Sequence, residues 1–322
     1  FVGNAVTTFV LQLLGLETSG LNTVQFSNHS GYRQKTGEAT SAALISSLWE
    51  GMKMNGLDKG FEMVLSGYVP GAAELEAVGE IVKEVKRNGR CFWLLDPVMG
   101  DQGRLYVSES VVPVYQTLLS HADLIVPNQF ETEVLTGISV TSLDSLSTAI
   151  DTLHSRYNLP HVIVTSVTLP NSNTMYCAGS TRTSTSQSRK FLIEVPLIDG
   201  FFSGTGDLFA ALTLARLREK SEDAGLLKTD SWLPGDDVAP VDLPLAKAVQ
   251  GVLASMNGVL IRTKTERDRI LQGMEEKGLF VGKDHKEKHI MTTRASELRL
   301  VQSRRELMDP EDVESRYEVR AF

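Results

Sequence analysis

Short apolar runs alternate with amphipathic segments along most of the chain, and each run stops at small or polar residues. Phe61 to Leu65 leads into Ser66-Gly67-Tyr68, and Cys91 to Leu95 into Asp96-Pro97. Leu124-Ile125-Val126 leads into Pro127-Asn128, and Val162-Ile163-Val164 into Thr165-Ser166. Runs that are apolar at every position predict strands buried on both faces, as in a parallel sheet. Between them, Leu75, Val78, Ile81, Val82 and Val85 recur at one-face helical spacing and end at Asn88-Gly89, a helix stop. Leu146, Ala149, Ile150 and Leu153 repeat that spacing, as do Leu245, Ala248, Val249, Val252 and Met256. The alternation predicts an α/β, three-layer fold: a central, mostly parallel sheet with helices on both faces. Ligands of such sheets bind beyond the carboxyl ends of the strands. The polar residues that close each run fall there.

Two stretches break the pattern. Residues 170–190 are rich in Ser, Thr and Asn and are expected to form a hairpin or an excursion from the surface. Residues 219–244 carry Asp, Gly and Pro without a period and are expected to be a surface insertion. The α/β pattern resumes after both, so 1–322 reads as a single domain with insertions near 170–190 and 219–244. The tail from Lys283 is charged, and no internal repeat is present.

Composition narrows the class. The 322 residues are 42% hydrophobic with a net charge of -8, an ordinary globular balance that argues against a nucleic-acid partner. No apolar run of the sequence approaches the length of a membrane span, and no signal peptide is apparent. Two cysteines, Cys91 and Cys177, make neither a disulfide framework nor a metal cluster, which suits a reducing compartment.

The chemistry concentrates in Asp199-Gly200-Phe201-Phe202-Ser203-Gly204-Thr205-Gly206-Asp207, followed by an apolar helical face at Leu208, Leu212 and Ala215. A helix is expected to begin near Asp207. Gly204 and Gly206 leave amide N–H groups unobstructed at the positive end of that helix, a ready anion site. A phosphoryl group in transfer carries spread negative charge, and Asp207 is placed to take the proton of an attacking hydroxyl. The same residues also make a plain capped turn, and alone they do not separate the two readings. No Gly-Lys-Ser/Thr of a P-loop is present.

Other strand ends add weight. Asp96 and Asp101 can hold a metal–phosphate group through water, which suits magnesium, or be solvated turn acids. Asn128 and Glu131 can orient water around the metal, or cap the helix they begin. Thr165 and Ser166 offer two hydroxyls to a phosphate.

Together these segments resemble pyridoxal kinases of the ribokinase-like superfamily. Phe1-Val2-Gly3-Asn4, Asn22-Thr23-Val24-Gln25-Phe26-Ser27-Asn28-His29-Ser30-Gly31-Tyr32, Ser66-Gly67-Tyr68 and Glu297-Leu298-Arg299-Leu300-Val301-Gln302-Ser303 carry the resemblance, from Phe1 to about Pro310. It implies ATP-dependent phosphorylation of the 5′-hydroxymethyl group of pyridoxal, pyridoxine or pyridoxamine, with Asp207 as base and Gly204, Thr205 and Gly206 as the anion hole. Ser30 then contacts the ring substituents, while Phe26 and Tyr68 line the ring pocket. Asp96, Asp101 and Tyr106 match positions around the ATP phosphates and flap. Asn128, Glu131, Thr165 and Ser166 match nucleotide and metal contacts, with Asp96 and Glu131 toward magnesium, partly through water. The resemblance also implies a divalent cation, potassium as an activator, a homodimer and a cytoplasmic location. His29 is a candidate acid or base by residue type, with a structural or substrate-loop role preferred.

Three departures are visible. Members of the family carry a strand and a Ser-x-His-Val segment ahead of the position matching Phe1; the expectation is an N-terminally incomplete version of an active enzyme. Val126 stands where a Thr precedes Pro-Asn. The flap Asp101-Gln102-Gly103-Arg104-Leu105-Tyr106 is shorter than in animal members. Competing readings are a hydroxymethylpyrimidine kinase of the same superfamily and a degenerate, non-catalytic protein that holds a B6 vitamer or nucleotide.

Overall fold

A computed structural model describes residues 2–170, 172, 174–311 and 313–322. Phe1 of the Phe1–Asn4 stretch, and Asn171 and Asn173 of the Ser/Thr-rich stretch, lie outside the described residues. The chain opens with α1 (Asn4–Leu13), then β1 (Val24–Phe26) and β2 (Gly37–Ala39), which pair antiparallel as a separate ribbon. There follow α2 (Ala42–Met54), β3 (Met63–Ser66), α3 (Ala72–Asn88), β4 (Phe92–Leu95) and a short hairpin, β5 (Gly100–Asp101) and β6 (Arg104–Leu105). Next come α4 (Val111–Leu118), β7 (Leu124–Ile125), α5 (Gln129–Thr136), α6 (Leu143–Tyr157) and β8 (His161–Thr168). Then β9 (Met175–Arg182), β10 (Ser188–Val195), α7 (Thr205–Asp223), α8 (Pro244–Glu276), α9 (His285–Ala295) and β11 (Val319–Ala321) complete the order used below.

Among the described residues the main sheet has seven strands in the order β11-β10-β9-β8-β7-β4-β3. Strands β3, β4, β7 and β8 pair parallel, whereas β9, β10 and β11 are joined by antiparallel pairings. Since β10 is antiparallel to β9 and β9 to β8, five of the seven strands point the same way. The alternation of side chains along β4 shows why its run is apolar throughout. Phe92 and Leu94 enter one core with Val10, Leu208, Leu212 and Val249, while Trp93 and Leu95 enter the other with Leu75, Val82, Tyr115 and Ile150. Helices α1, α7 and α8 cover one face, and α3 to α6 the other, as the periodicity requires. α8 is long and apolar enough by length and composition to cross a membrane, which the run-by-run sequence reading missed. Most of that window is buried within the fold, where α8 packs along α7 as a core helix.

Two sequence expectations are corrected. The 170–190 stretch does contain a hairpin, but it is no surface insertion: β9 and β10 are full strands of the main sheet. The hydroxyls that β9 buries are satisfied from within. Ser180 Oγ meets His154 Nε2 at 2.8 Å, and Thr181 Oγ1 meets His161 Nδ1 at 2.8 Å. Burial pushes His161 down to about 4, so it serves as a neutral hydrogen-bonding partner. In the 219–244 stretch, α7 runs on to Asp223 and short helical turns follow. Trp232 turns inward and stacks on Phe92, with ring centroids 3.9 Å apart and planes 13° from parallel. Arg189 Nη1 donates to the carbonyls of Gly235, at 2.6 Å, and Val238. The stretch is therefore stapled to the sheet. Trp232→Ala is expected to lower unfolding free energy by about 3 kcal/mol in a urea titration. A loss within about 0.5 kcal/mol, the size of a surface change, would contradict this anchoring.

Candidate active site

The candidate site residues named from the sequence fall along one cavity of about 2410 Å³ at the carboxyl ends of the parallel strands. Its lining includes Phe26, Ser30, Tyr68, Asp96, Asp101, Tyr106, Asn128, Glu131, Thr165, Ser166, Gly204, Thr205, Gly206 and Asp207. The space continues beside β3, which is a sheet edge among the described residues, past Trp49, Met52, Ile81 and Val85.

The glycine-rich turn builds one wall. Helix α7 begins at Thr205, two residues earlier than the apolar face suggests. Gly204 is its N-cap at φ 85, ψ 9, a left-handed conformation that favours glycine. No side chain caps this end, so the first-turn N–H groups of α7 remain available to an anion. A Cβ on Gly206 would stand in the space before that turn, meeting only Asp96 Oδ2, at 3.9 Å.

Asp207 occupies the first turn of α7. Its Oδ2 accepts the backbone N–H of Gly3 at 2.7 Å. That contact crosses 204 positions of sequence and was not found by motif reasoning; the only signal was the Val2-Gly3-Asn4 stretch. It engages one carboxylate oxygen of a residue that lines the cavity. Burial holds the Asp207 carboxyl above the usual range, against the opposing effect of the Gly3 N–H.

Asp96 directly follows β4 and is 7% exposed. Among the described residues no hydrogen bond reaches its carboxylate, and burial, then the charges of Glu131 and Asp207, raise it well above the ordinary range. Glu131 is committed differently. Its Oε1 accepts the N–H groups of Met99, at 2.8 Å, and Gly100, while Oε2 accepts that of Asn128 at 2.9 Å. Asn128 Oδ1 in turn accepts from Glu131 N at 2.9 Å, completing a capping box at the start of α5. Asn128 Nδ2 also donates to Gly100 O at 2.8 Å, tying this cap to the β5–β6 flap. Burial nevertheless wins over the three amides and pushes Glu131 up to about 7. The capping reading of Asn128 and Glu131 is therefore realised directly, and any role toward a metal passes through their remaining lone pairs.

Thr165 and Ser166 owe their placement to a bulge. The β8–β9 register slips between Val164 and Val167, and Ser166 sits at φ 53. A regular strand would turn these neighbours to opposite faces; the bulge lets both border the cavity. On the flap, Gln102 and Gly103 both have positive φ, the turn that closes a two-residue hairpin. Tyr106 follows it, 61% exposed, and its N–H bonds Met99 O at 2.7 Å. Val126 is buried at 4% and packs in the α7–α8 core.

The opposite wall belongs to the β1–β2 ribbon and its loop. Phe26 lies under Lys35, whose Nζ is 3.7 Å from the ring centroid. Ser30 begins a helical turn over Ser30–Tyr32, capped by His29, whose Nδ1 accepts from Gly31 N at 3.2 Å. Tyr68 follows β3, and its carbonyl accepts from Thr23 Oγ1 at 2.8 Å, joining the ribbon to the sheet.

A divalent cation would find hard oxygen donors here. Asp96 is a buried carboxylate open to the cavity and in need of positive charge, and it fits such an ion. Among the described residues no three His, Cys, Asp or Glu side chains converge as a ready chelate.

The sequence profile of the family described as phosphomethylpyrimidine kinase matches residues 58–224. Pyridoxal kinase of Sus scrofa is 34% identical over 327 residues, covering 97% of this chain and 90% of that one. Pyridoxal kinase of Homo sapiens is 38% identical over 228 residues, 67% of this chain and 72% of the other. The solved structure of Leishmania donovani pyridoxal kinase in complex with ADP and pyridoxamine superposes with a TM-score of 0.79 at 27% identity. It covers all of this chain and 95% of that one. The chain belongs to the pyridoxal kinase family of the ribokinase-like superfamily.

Proposed function

We propose that this chain transfers the γ-phosphate of ATP to the 5′-hydroxymethyl group of pyridoxal, and of pyridoxine and pyridoxamine, with Asp207 as the base. The observation that carries the reading is Asp207 itself: a carboxylate beside the uncapped start of α7, one oxygen held by Gly3, lining the cavity. Burial raises the proton affinity of Asp207, which favours its taking the hydroxyl proton as the oxygen attacks phosphorus. The N–H groups of the Gly204–Gly206 turn receive the charge of the transferring phosphoryl oxygens. Phe26 and Tyr68 bury the flat ring, and Ser30 offers a hydroxyl to its substituents. Thr165, Ser166, Asn128 and Tyr106 line the nucleotide side. Asp96, with Glu131 through water, is the proposed seat of magnesium, which when bound neutralises phosphate charge. Potassium activation, a homodimer and a cytoplasmic site of action belong to the same proposal and rest on family membership. The net charge of -8 supports small-molecule rather than nucleic-acid partners.

A hydroxymethylpyrimidine acceptor is the second reading, favoured by the description of the matching profile. That match covers 58–224, and the acceptor loop with Phe26 and Ser30 lies outside it. The relative from Sus scrofa spans 97% of this chain, which supports pyridoxal.

Asp207→Ala is expected to lower kcat by about 10²- to 10⁴-fold while ATP affinity, measured by calorimetry, stays near wild type. Unchanged turnover would sink the assignment of the base.

The raised acids also set a pH dependence. Asp96, Glu131 and Asp207 are all held above their ordinary values. Between the ordinary and raised values the folded chain keeps protons that the unfolded chain has lost. Stability from these groups is thus full at low pH and falls as pH rises, through about 7 for Glu131. Asp96→Asn should raise the thermal midpoint of the ligand-free protein at pH 8 by a few degrees, on the order of 1 kcal/mol, and by less at pH 5. A variant less stable than wild type at pH 8 would contradict this.

A further inference from the structure

The loop that carries Ser30 is held from the far end of the chain. Glu297 Oε1 lies 3.0 Å from His29 Nε2 and accepts the Tyr32 hydroxyl at 3.0 Å. The two ring systems of the loop lie together, with centroids 4.8 Å apart. Because the Gly31 N–H donates to His29 Nδ1, a neutral His29 carries its proton on Nε2, facing the carboxylate. Burial, helped by the Glu297 contact, holds the Tyr32 hydroxyl up at about 12, so it remains a donor at any working pH. From α9, His289 Nε2 reaches Gly31 O at 2.8 Å.

The clamp is tightly packed. His29 is only 10% exposed and Glu297 22%. A Cβ on Gly31 would approach His29 Nδ1 to 2.7 Å and Ser203 Oγ to 3.0 Å. Ser203 immediately precedes Gly204, so the acceptor loop, the start of α7 and the α9–Glu297 segment meet at one place. His29, Ser203, His289 and Glu297 border both the main cavity and a smaller one of about 160 Å³ beside it.

We infer that Glu297, seconded by His289, is a positioning residue that fixes the shape of the 27–36 loop and thereby the affinity for the acceptor. The inference deepens the pyridoxal kinase reading and rests on it. Glu297 acts through His29 and Tyr32, which orient the turn bearing Ser30. The nucleotide side of the cavity, built from α5, the β8 bulge and the β5–β6 flap, is not part of this clamp.

The experiment compares full-chain Glu297→Ala, Glu297→Gln and His289→Ala with wild type. Steady-state kinetics are taken with pyridoxal and ATP varied in turn, and thermal midpoints are measured alongside. Losing the contacts to His29 and Tyr32 in Glu297→Ala is expected to raise KM for pyridoxal about tenfold, with kcat within about threefold and KM for ATP unchanged. Glu297→Gln keeps an acceptor oxygen and should stay within about threefold of wild type throughout. His289→Ala should raise the pyridoxal KM by a few fold, on the order of one hydrogen bond. An unchanged pyridoxal KM in Glu297→Ala, an equal rise in both KM values, or a Gln variant as impaired as the Ala variant would overturn the inference. Amide hydrogen exchange of residues 27–36 gives a readout independent of turnover. Faster exchange of this loop in Glu297→Ala, with the α5 cap unchanged, supports the clamp, and unchanged exchange overturns it. If wild type fails to phosphorylate pyridoxal, the functional reading falls and the exchange result alone decides the clamp.

Discussion

The architecture turns on negative charge buried at the ends of the strands. Asp96, Glu131 and Asp207 come from three separate strand-to-helix passages, and the sheet brings them into one cavity. Burying carboxylates is costly unless donors or cations compensate them. The fold compensates unevenly. Glu131 receives three backbone amides and Asp207 one, while Asp96 receives none among the described residues. The remaining imbalance lies beside an uncapped helix start that attracts anions. A site with unfilled demand for cations on one side and for anions on the other is suited to a metal–polyphosphate group.

Much of this framework was legible in the sequence because its signals are local. The runs at Cys91–Leu95 and Val162–Val164 are apolar at every position because both of their faces are buried, and α3 ends at Asn88 where the Asn88-Gly89 stop sits. Gly204 announces the turn because only a left-handed residue opens α7 in this way. What escaped reading depends on partners distant in sequence. β9 looks like a polar surface stretch, yet His154 and His161 satisfy its buried hydroxyls from α6 and β8. α9 shows no apolar face because it lies on the surface, with only Ala295 buried. The bulge at Thr165-Ser166 follows from the pairing with β9, which no local pattern encodes.

The acceptor side differs in construction from the phosphoryl side. Backbone of the sheet and α7 forms the latter, whereas the acceptor wall is a two-stranded ribbon and a helical turn, joined to the body by a few polar contacts. Thr23 to Tyr68, and His29 and Tyr32 to Glu297, are such contacts. In the proposed reading, Phe26 and Ser30 sit on this ribbon and its turn, apart from the strand ends that carry Asp96 and Thr165.

The most direct test of the central claim follows phosphorus itself. With MgATP and pyridoxal, 31P NMR of the reaction should show a 5′-phosphate monoester growing in step with ADP and no comparable inorganic phosphate. Equal trials with the hydroxymethylpyrimidine acceptor should leave ATP largely intact. ADP accompanied only by inorganic phosphate, or a phosphate ester formed on the pyrimidine and not on pyridoxal, would contradict the account.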